Sequence, residues 1–550
     1  MPNLVNLDAL IPRQDLEPGV TIPGQTPNTP SFKMLEMEID NNTRYQLRKP
    51  GFQRETNAWD PKKIVDLIKS FLDGDLIPAV IVWKAHDGSI FVVDGSHRLS
   101  ALIAWAINDY GDGVTSREFF QNRIPQEQLD AASATRKLVD KTVGTYAAVK
   151  LAGRHDGTGT PEQTRWGREL STIGINLQWI HGGVEKAERS FKAINGKATP
   201  IDPTEMRMID DRKKPFALAA RAISHRGTGH SYWGQFPKET KDAIESAASE
   251  IHKMLFEPEY SDTFDTIELP VAGKAYSGEG VKLVFDLVLY ASRGRRSPGA
   301  ERTLFGSSEA PTSLSKALDD ESGEETLEYL KLVRKTVDLI TGMSTGSLGL
   351  HPAVYYYSST GSRQPAAFFA AIHFLQELRY REKLIEFTGH RKEFEEFLVK
   401  YKDFINQTVR KRGGGPRGIP NMVELFNSIY EGVSAGHSEG KIAQNIVKRP
   451  NLEFLKIPLP ITGGLSKSGA SKTAKNAAFI REALASAIPC AECGARIHRN
   501  SFSRDHNKRR EDGGDNSSAN LVITHWFCNS GYKEHRVAME KKKAKGDAAS

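Results

Sequence analysis

Cys490-Ala491-Glu492-Cys493-Gly494 and His525-Trp526-Phe527-Cys528 are the two stretches whose reading decides how the C-terminal part of this chain folds. In each, two metal-ligating residues sit three positions apart, so both can converge on one ion across a tight turn, and Gly494 tolerates the strained backbone there. The chain has three cysteines, and all of them fall between Cys490 and Cys528. The N-terminus, MPNLVNLDALIPRQDLEPGV, lacks the basic start and apolar run of a secretory signal. A cytoplasmic, reducing setting is therefore expected, in which clustered cysteines favour a metal over disulfides. Cys490, Cys493, His525 and Cys528 make a tetrahedral set of three thiolates and one imidazole. A fully coordinated zinc of this kind holds a fold and does no chemistry.

Between the two half-sites lie Asp505-His506 and Asn520-Leu521, and Asn529 follows directly after Cys528. In the order CAECG, DH, GGDNSSANL and HWFCN, about fifty residues resemble the HNH family, whose core is a β-hairpin followed by a helix with a catalytic metal. The resemblance implies His506 as general base, Asp505 and Asn529 as ligands of Mg2+ or Mn2+, and Asn520 as the residue that braces the hairpin and orients His506. Phosphodiester hydrolysis needs such a set: a base to activate water, a cation to offset charge on phosphate and leaving oxygen, and a support for the base. An unperturbed histidine is partly neutral at physiological pH, as a base must be. Lys508, Arg509, Arg510 and Lys533 are the candidate DNA contacts. Asn507 follows the Asp-His pair where the family often has proline, and Lys533 lies one position later than the lysine common after Cys-Asn.

Charge points the same way. Formal net charge is +7, and from Cys490 to Lys545 twelve Lys and Arg stand against seven Asp and Glu. Most of the basic excess thus lies in the last tenth of the chain, where a polyanion such as double-stranded DNA would be attracted. No apolar run approaches the length of a membrane span.

Upstream, TGGLSKSGASKTAKN reads as a flexible linker, 461–476, which makes 477–550 an independently mobile module with a basic tail. From about residue 160 to 460 the signal reads as mostly helical, with 211–460 forming a mainly helical domain, interrupted by Gly- and Arg-rich loops at Arg293–Gly323 and Gly413–Gly418. Residues 1–40 read as a loosely packed, extended lead-in to a folded unit, 41–210. Within that unit Asp60-Pro61 starts a helix with Ile64, Leu67, Ile68, Phe71 and Leu72 on one face. Two β-rich runs, 79–83 and 90–93, flank the turn His86-Asp87-Gly88-Ser89 as a hairpin. Asp94-Gly95-Ser96-His97-Arg98 then lies at a strand-to-helix junction.

Phe52-Gln53-Arg54, Trp59, Ile77-Pro78, Asp94 to Leu99, and Phe191, Asn195 and Glu205 together resemble the ParB-like fold, especially the DUF262 family of modification-dependent restriction and phage-defence proteins. The resemblance implies nucleotide binding by Gln53, Arg54, Asp94, Gly95, Ser96, His97 and Arg98, with ATP, GTP or CTP as ligand and NTP hydrolysis as a candidate activity. A glycine turn at a helix start offers free N–H groups, and arginines add bidentate phosphate contacts. Asp94 reads either as a metal-orienting group or as a helix cap.

The sequence thus predicts an α+β multidomain protein: a ParB-like α/β N-terminal domain, a mainly α-helical middle and a C-terminal ββα-metal zinc module. The function it implies is a nucleotide-regulated HNH endonuclease in prokaryotic defence. A homo-oligomer would serve a double-strand break, since one HNH site makes one nick. Two rivals stand beside it. One is a non-catalytic ParB-like protein whose zinc module grips DNA, and the other a phage or mobile-element HNH nuclease.

Overall fold

The computed structural model describes residues 4–14, 29–38, 42–50, 56, 59–85, 87–120, 122, 124, 126–154, 158–195, 203–227, 231–257, 269–273, 275, 278–292, 317–457 and 472–547. The chain divides into two compact units. The first is Met1–Leu218 with Gly227–Asp242 and Asp319–Gly323; the second is Ala219–Arg226, Ala243–Leu318 and Glu324–Ser550.

The first unit is built on a mixed sheet of β1 (Arg13–Gln14), β2 (Ser31–Lys33), β3 (Leu47–Pro50), β4 (Val80–Lys84), β5 (Ile90–Asp94) and β6 (Gly174–Ile180), ordered β1-β3-β5-β4-β6-β2. β4 and β5 form the expected antiparallel hairpin, with Trp83 opposite Phe91. Its period-two alternation sends side chains to two faces. Val80, Val82, Ile90 and Val92 join the larger core with the helices Pro61–Leu72 and Ser96–Ile107. Trp83, Phe91 and Val93 pack on the other face with Ala187 and Phe191. The helix Pro61–Leu72 starts as the sequence predicts, with Asp60 Oδ1 accepting the Lys63 N–H at 2.9 Å.

Two expectations fail here. The described part of the lead-in is not loose: Val5, Leu7, Leu10 and Ile11 are buried in the main core, and β1 and β2 belong to the sheet. Asp8 anchors it, accepting from Arg13 Nη2 at 2.8 Å, Lys49 Nζ at 2.6 Å and the Thr56 N–H at 3.0 Å, with all three ionic side chains nearly closed off from water. A buried carboxylate needs that many partners to remain charged. The second failure is β6, which lies in a stretch read as helical. It pairs in parallel with β4 and antiparallel with β2.

The second unit is largely helical among the described residues. Glu324–Ile340, Pro365–Tyr380, Arg391–Lys400 and Ile419–Ser434 carry much of its framework. The last three meet in an aromatic core where Phe374 stacks on Phe394 with centroids 5.6 Å apart and Phe426 and Tyr430 pack edge-on. The loop Gly413–Gly418 is mostly exposed, as predicted, and 293–316 lies outside the described residues. No described helix is long and apolar enough to cross a membrane.

The C-terminal stretch belongs to this same unit. β7 (Ser503–His506) and β8 (Leu521–Thr524) form an antiparallel hairpin, and a turn at Cys528–Tyr532 leads into the helix Lys533–Asp547. Of the predicted linker, residues up to 471 lie outside the described residues, and the helix Lys472–Ser486 begins inside its C-terminal end. The predicted independent module is instead packed into the helical body. Ser501 Oγ donates to Gly342 O at 2.6 Å, the Phe527 N–H to Ser347 O at 3.0 Å, and buried His498 lies 3.0 Å from Leu269 O. The module's own apolar cluster, Cys490, Cys493, Ala495, Ile497 and Cys528, is small. A core of that size does not sustain a fold alone, so it borrows neighbours.

Candidate active site

Cys490, Cys493, His525 and Cys528 come together as their spacing predicts. All four are buried, and one ligand atom of each lies within 4.8 Å of the others. The first half-site closes through the Gly494 N–H donating to Cys490 O at 2.9 Å, with Gly494 at φ +70°, where a side chain would be strained. His525 Nε2 lies 3.2 Å from Arg496 O, while Nδ1 faces Cys493 Sγ at 3.4 Å and Cys528 Sγ at 3.7 Å. A carbonyl can only accept, so Nε2 carries the proton and Nδ1 presents its lone pair to the sulfurs, the arrangement of a metal-ligating imidazole. Burial also lowers the His525 pKa, keeping the ring neutral. Hydrogen bonds from Cys493 and Cys528 lower the Cys490 pKa, whereas bonding to Cys490 holds Cys528 well above the usual thiol range. Three thiols and a neutral imidazole at this spacing fit one zinc ion.

This cluster is braced from the helical body. Arg391 and Glu395, both fully buried, pair at 2.9 Å. Glu395 Oε2 accepts the Arg496 N–H at 2.9 Å, and the Arg496 carbonyl holds His525. A single residue, Arg496, thus links the cluster to an ion pair that no motif in the sequence announces.

The hairpin carries the other candidates. Asp505 and His506 are neighbours at the end of β7, paired with Val522 and Leu521 of β8. Asp505 Oδ1 accepts the His506 N–H at 2.7 Å, and its Oδ2 receives Lys533 Nζ at 2.7 Å. Lys533 is buried and also reaches the His506 carbonyl. It therefore cannot serve as a surface DNA contact; it is the counter-ion of Asp505. Arg509 is likewise engaged, its guanidinium 2.6 Å from Glu534, which clamps the loop to the C-terminal helix. Lys508 and Arg510 remain exposed.

His506 is half-buried, and its Nε2 lies 2.9 Å from Asn516 Oδ1, an oxygen that Arg510 Nη2 also approaches at 2.8 Å. Asn520 was expected to orient His506, but its side chain closes the intervening loop. It accepts the Lys508 N–H at 2.7 Å and donates to Lys508 O and Asp515 O. Asn516 lies in the run GGDNSSANL, but no spacing there marks it as the partner of His506. Asn529 follows the cluster, its amide nitrogen donating to Ser503 Oγ at 2.8 Å.

In the first unit, Gly95 adopts φ +91° between β5 and the helix Ser96–Ile107. A Cβ there would come within 2.8 Å of Arg98 and 2.9 Å of Val80, so the turn requires glycine. No side chain caps this helix start. Asp94 is therefore not a helix cap; its Oδ2 pairs with Arg98 Nη2 at 2.7 Å. Ser96 and His97 are buried, the His97 ring 5.7 Å from Trp59. Gln53 and Arg54, and the side chains of Asn195 and Glu205, lie outside the described residues.

Residues 34–208 match the family model of the GmrSD restriction endonuclease N-terminal domain, about a third of the chain. No curated protein and no solved structure matches the chain.

Proposed function

We propose that this protein is a metal-dependent DNA endonuclease of the HNH type, regulated through nucleotide binding at its N-terminal unit and acting in defence against foreign DNA. The observation that carries the reading is the pairing of Asp505-His506 on a β-hairpin with a following helix, seated on a cluster of three cysteines and a histidine. The similarity of residues 34–208 to a restriction endonuclease domain supports it from the other end of the chain.

The side chains can be given roles. With Nε2 donating to Asn516, His506 keeps Nδ1 as the unprotonated nitrogen that accepts a proton from water. Asn516 fixes the ring, and Asn520 fixes the loop from which Asn516 projects. Asp505 and Asn529 offer the hard oxygens that Mg2+ or Mn2+ takes, the remaining positions falling to water and phosphate. The Lys533 ammonium already pairs with Asp505 Oδ2, so a divalent ion at this carboxylate would have to share it with Lys533 or displace it. A bound divalent ion would supply stabilisation of the charge developing on phosphate and leaving oxygen. Lys508 and Arg510 would contact the strand. At Asp94–Arg98, the glycine turn and uncapped helix start suit a phosphate, with Arg98 released from Asp94 or shared with it.

The test is cleavage of modified and unmodified supercoiled plasmid, with and without ATP, GTP or CTP. Nicking that requires Mg2+ or Mn2+ and changes with nucleotide supports the reading. Plasmid left intact under every condition, although bound, favours a DNA-gripping role and overturns it.

A further inference from the structure

Lys533 Nζ meets two carboxylates. Asp505 Oδ2 lies 2.7 Å away and Glu492 Oε1 3.9 Å away, and none of the three side chains is more than 11% exposed. The ammonium is thus bonded to one acid and a short step from the other. Glu492 stands between Cys490 and Cys493 in the CAECG stretch, yet it takes no part in the cysteine cluster. The C-terminal helix holds it instead. Arg536, one turn after Lys533 on the same helix, reaches Glu492 Oε2 from Nη2 at 2.9 Å, while Oε1 is the oxygen that approaches Lys533.

This arrangement bears on how Asp505 can accept a divalent ion. An ammonium kept on the same carboxylate would repel the ion at close range, where little water screens the charges. An ammonium driven off with no other partner would be a buried, unpaired charge. Glu492 removes both obstacles. A shift of about 1 Å toward Oε1 brings Nζ to ordinary charge-assisted hydrogen-bond distance. We propose that Glu492 is a positioning residue for the divalent site: it takes over Lys533 when Asp505 gives it up, and so sets the affinity of Asp505 for the ion. The proposal rests on the assignment of Asp505 as a metal ligand.

The experiment is titration of the zinc-loaded full chain with Mn2+, followed by electron paramagnetic resonance, which reads binding without cleavage; Asp505→Asn marks the binding that belongs to the hairpin. Glu492→Gln, which keeps the side chain's shape, should weaken the Asp505-dependent binding at least tenfold at unchanged zinc content. Arg536→Gln breaks the same Glu492–Arg536 pair but keeps the carboxylate, and should not weaken it. Lys533→Met should bind Mn2+ at least as tightly as the wild type, and adding Glu492→Gln to it should change the affinity less than twofold. An equal loss in the Lys533→Met background would mean that Glu492 acts through its charge alone, which overturns the proposal. Equal weakening by Glu492→Gln and Arg536→Gln would reduce Glu492 to a helix tether and overturns it too. Asp505-dependent binding that Glu492→Gln leaves unchanged overturns it with the endonuclease reading intact. Binding that Asp505→Asn leaves unchanged overturns the metal-ligand assignment itself, and this proposal with it.

Discussion

Lys533 Nζ lies 2.7 Å from Asp505 Oδ2, and both side chains are about nine-tenths shielded from water. One ion pair therefore joins the start of the C-terminal helix to the end of β7, at the carboxylate assigned to the metal. Removing one partner of such a pair leaves an uncompensated buried charge, costing about 3–5 kcal/mol. Lys533→Met should lower stability by that order without divalent cation and regain part of it in Mg2+, because the ion can take the place of the ammonium. Urea unfolding with and without Mg2+ measures this. An equal loss in both conditions would show that Asp505 does not bind the metal.

Asn516 is exposed and touches His506 and Arg510 through one oxygen. Asn516→Ala should leave the unfolding midpoint nearly unchanged, within about 0.5 kcal/mol. It should lower cleavage by about 10- to 100-fold, since the base loses its orientation. Wild-type cleavage by this variant would remove Asn516 from the mechanism.

Cys528→Ala should abolish binding of one zinc per chain. The destabilisation should extend beyond the hairpin, because Arg496 and His498 tie the cluster to Glu395 and Leu269. Metal analysis and thermal unfolding of the full chain, before and after chelation, report both effects. A variant without zinc whose helical unit melts as in the wild type would contradict the linkage.

Acid should destabilise the second unit. Burial pushes both His252 and His498 down to about 4, so each stays neutral in the folded state where it would be charged in the unfolded chain. Between about pH 6.5 and 4 the unfolded state binds more protons, and stability falls as pH falls through that window. Each residue contributes about 3 kcal/mol to the loss, which is complete near pH 4. Unfolding curves at pH 7.5, 5.5 and 4.5 test the sign, and His252→Phe should flatten the dependence. Stability that rises on acidification would refute it.

The strongest local signals were legible in the sequence. Asp60-Pro61 marks a helix start whatever surrounds it, and the matched spacing of Cys490, Cys493, His525 and Cys528 leaves few other ways to bury three thiols. β6 was also within reach, since Ile175, Leu177 and Trp179 alternate with polar residues, but helical neighbours on both sides masked it. What could not be read is what depends on distant partners. Asp8, Lys49, Arg391 and Glu395 look like surface charges until the fold brings their counter-ions to them. Lys533 looks like a DNA contact for the same reason, and Ser501 and His498 look like surface residues until the helical body encloses them.

The central claim is that His506 is the base of a metal-dependent nuclease built on the β7–β8 hairpin. Its most direct measurement is the rate of supercoiled plasmid nicking by His506→Ala in Mg2+ or Mn2+, with zinc content and unfolding midpoint measured on the same sample. The expected result is loss of cleavage with one zinc per chain and the fold retained. Cleavage at the wild-type rate would contradict the claim.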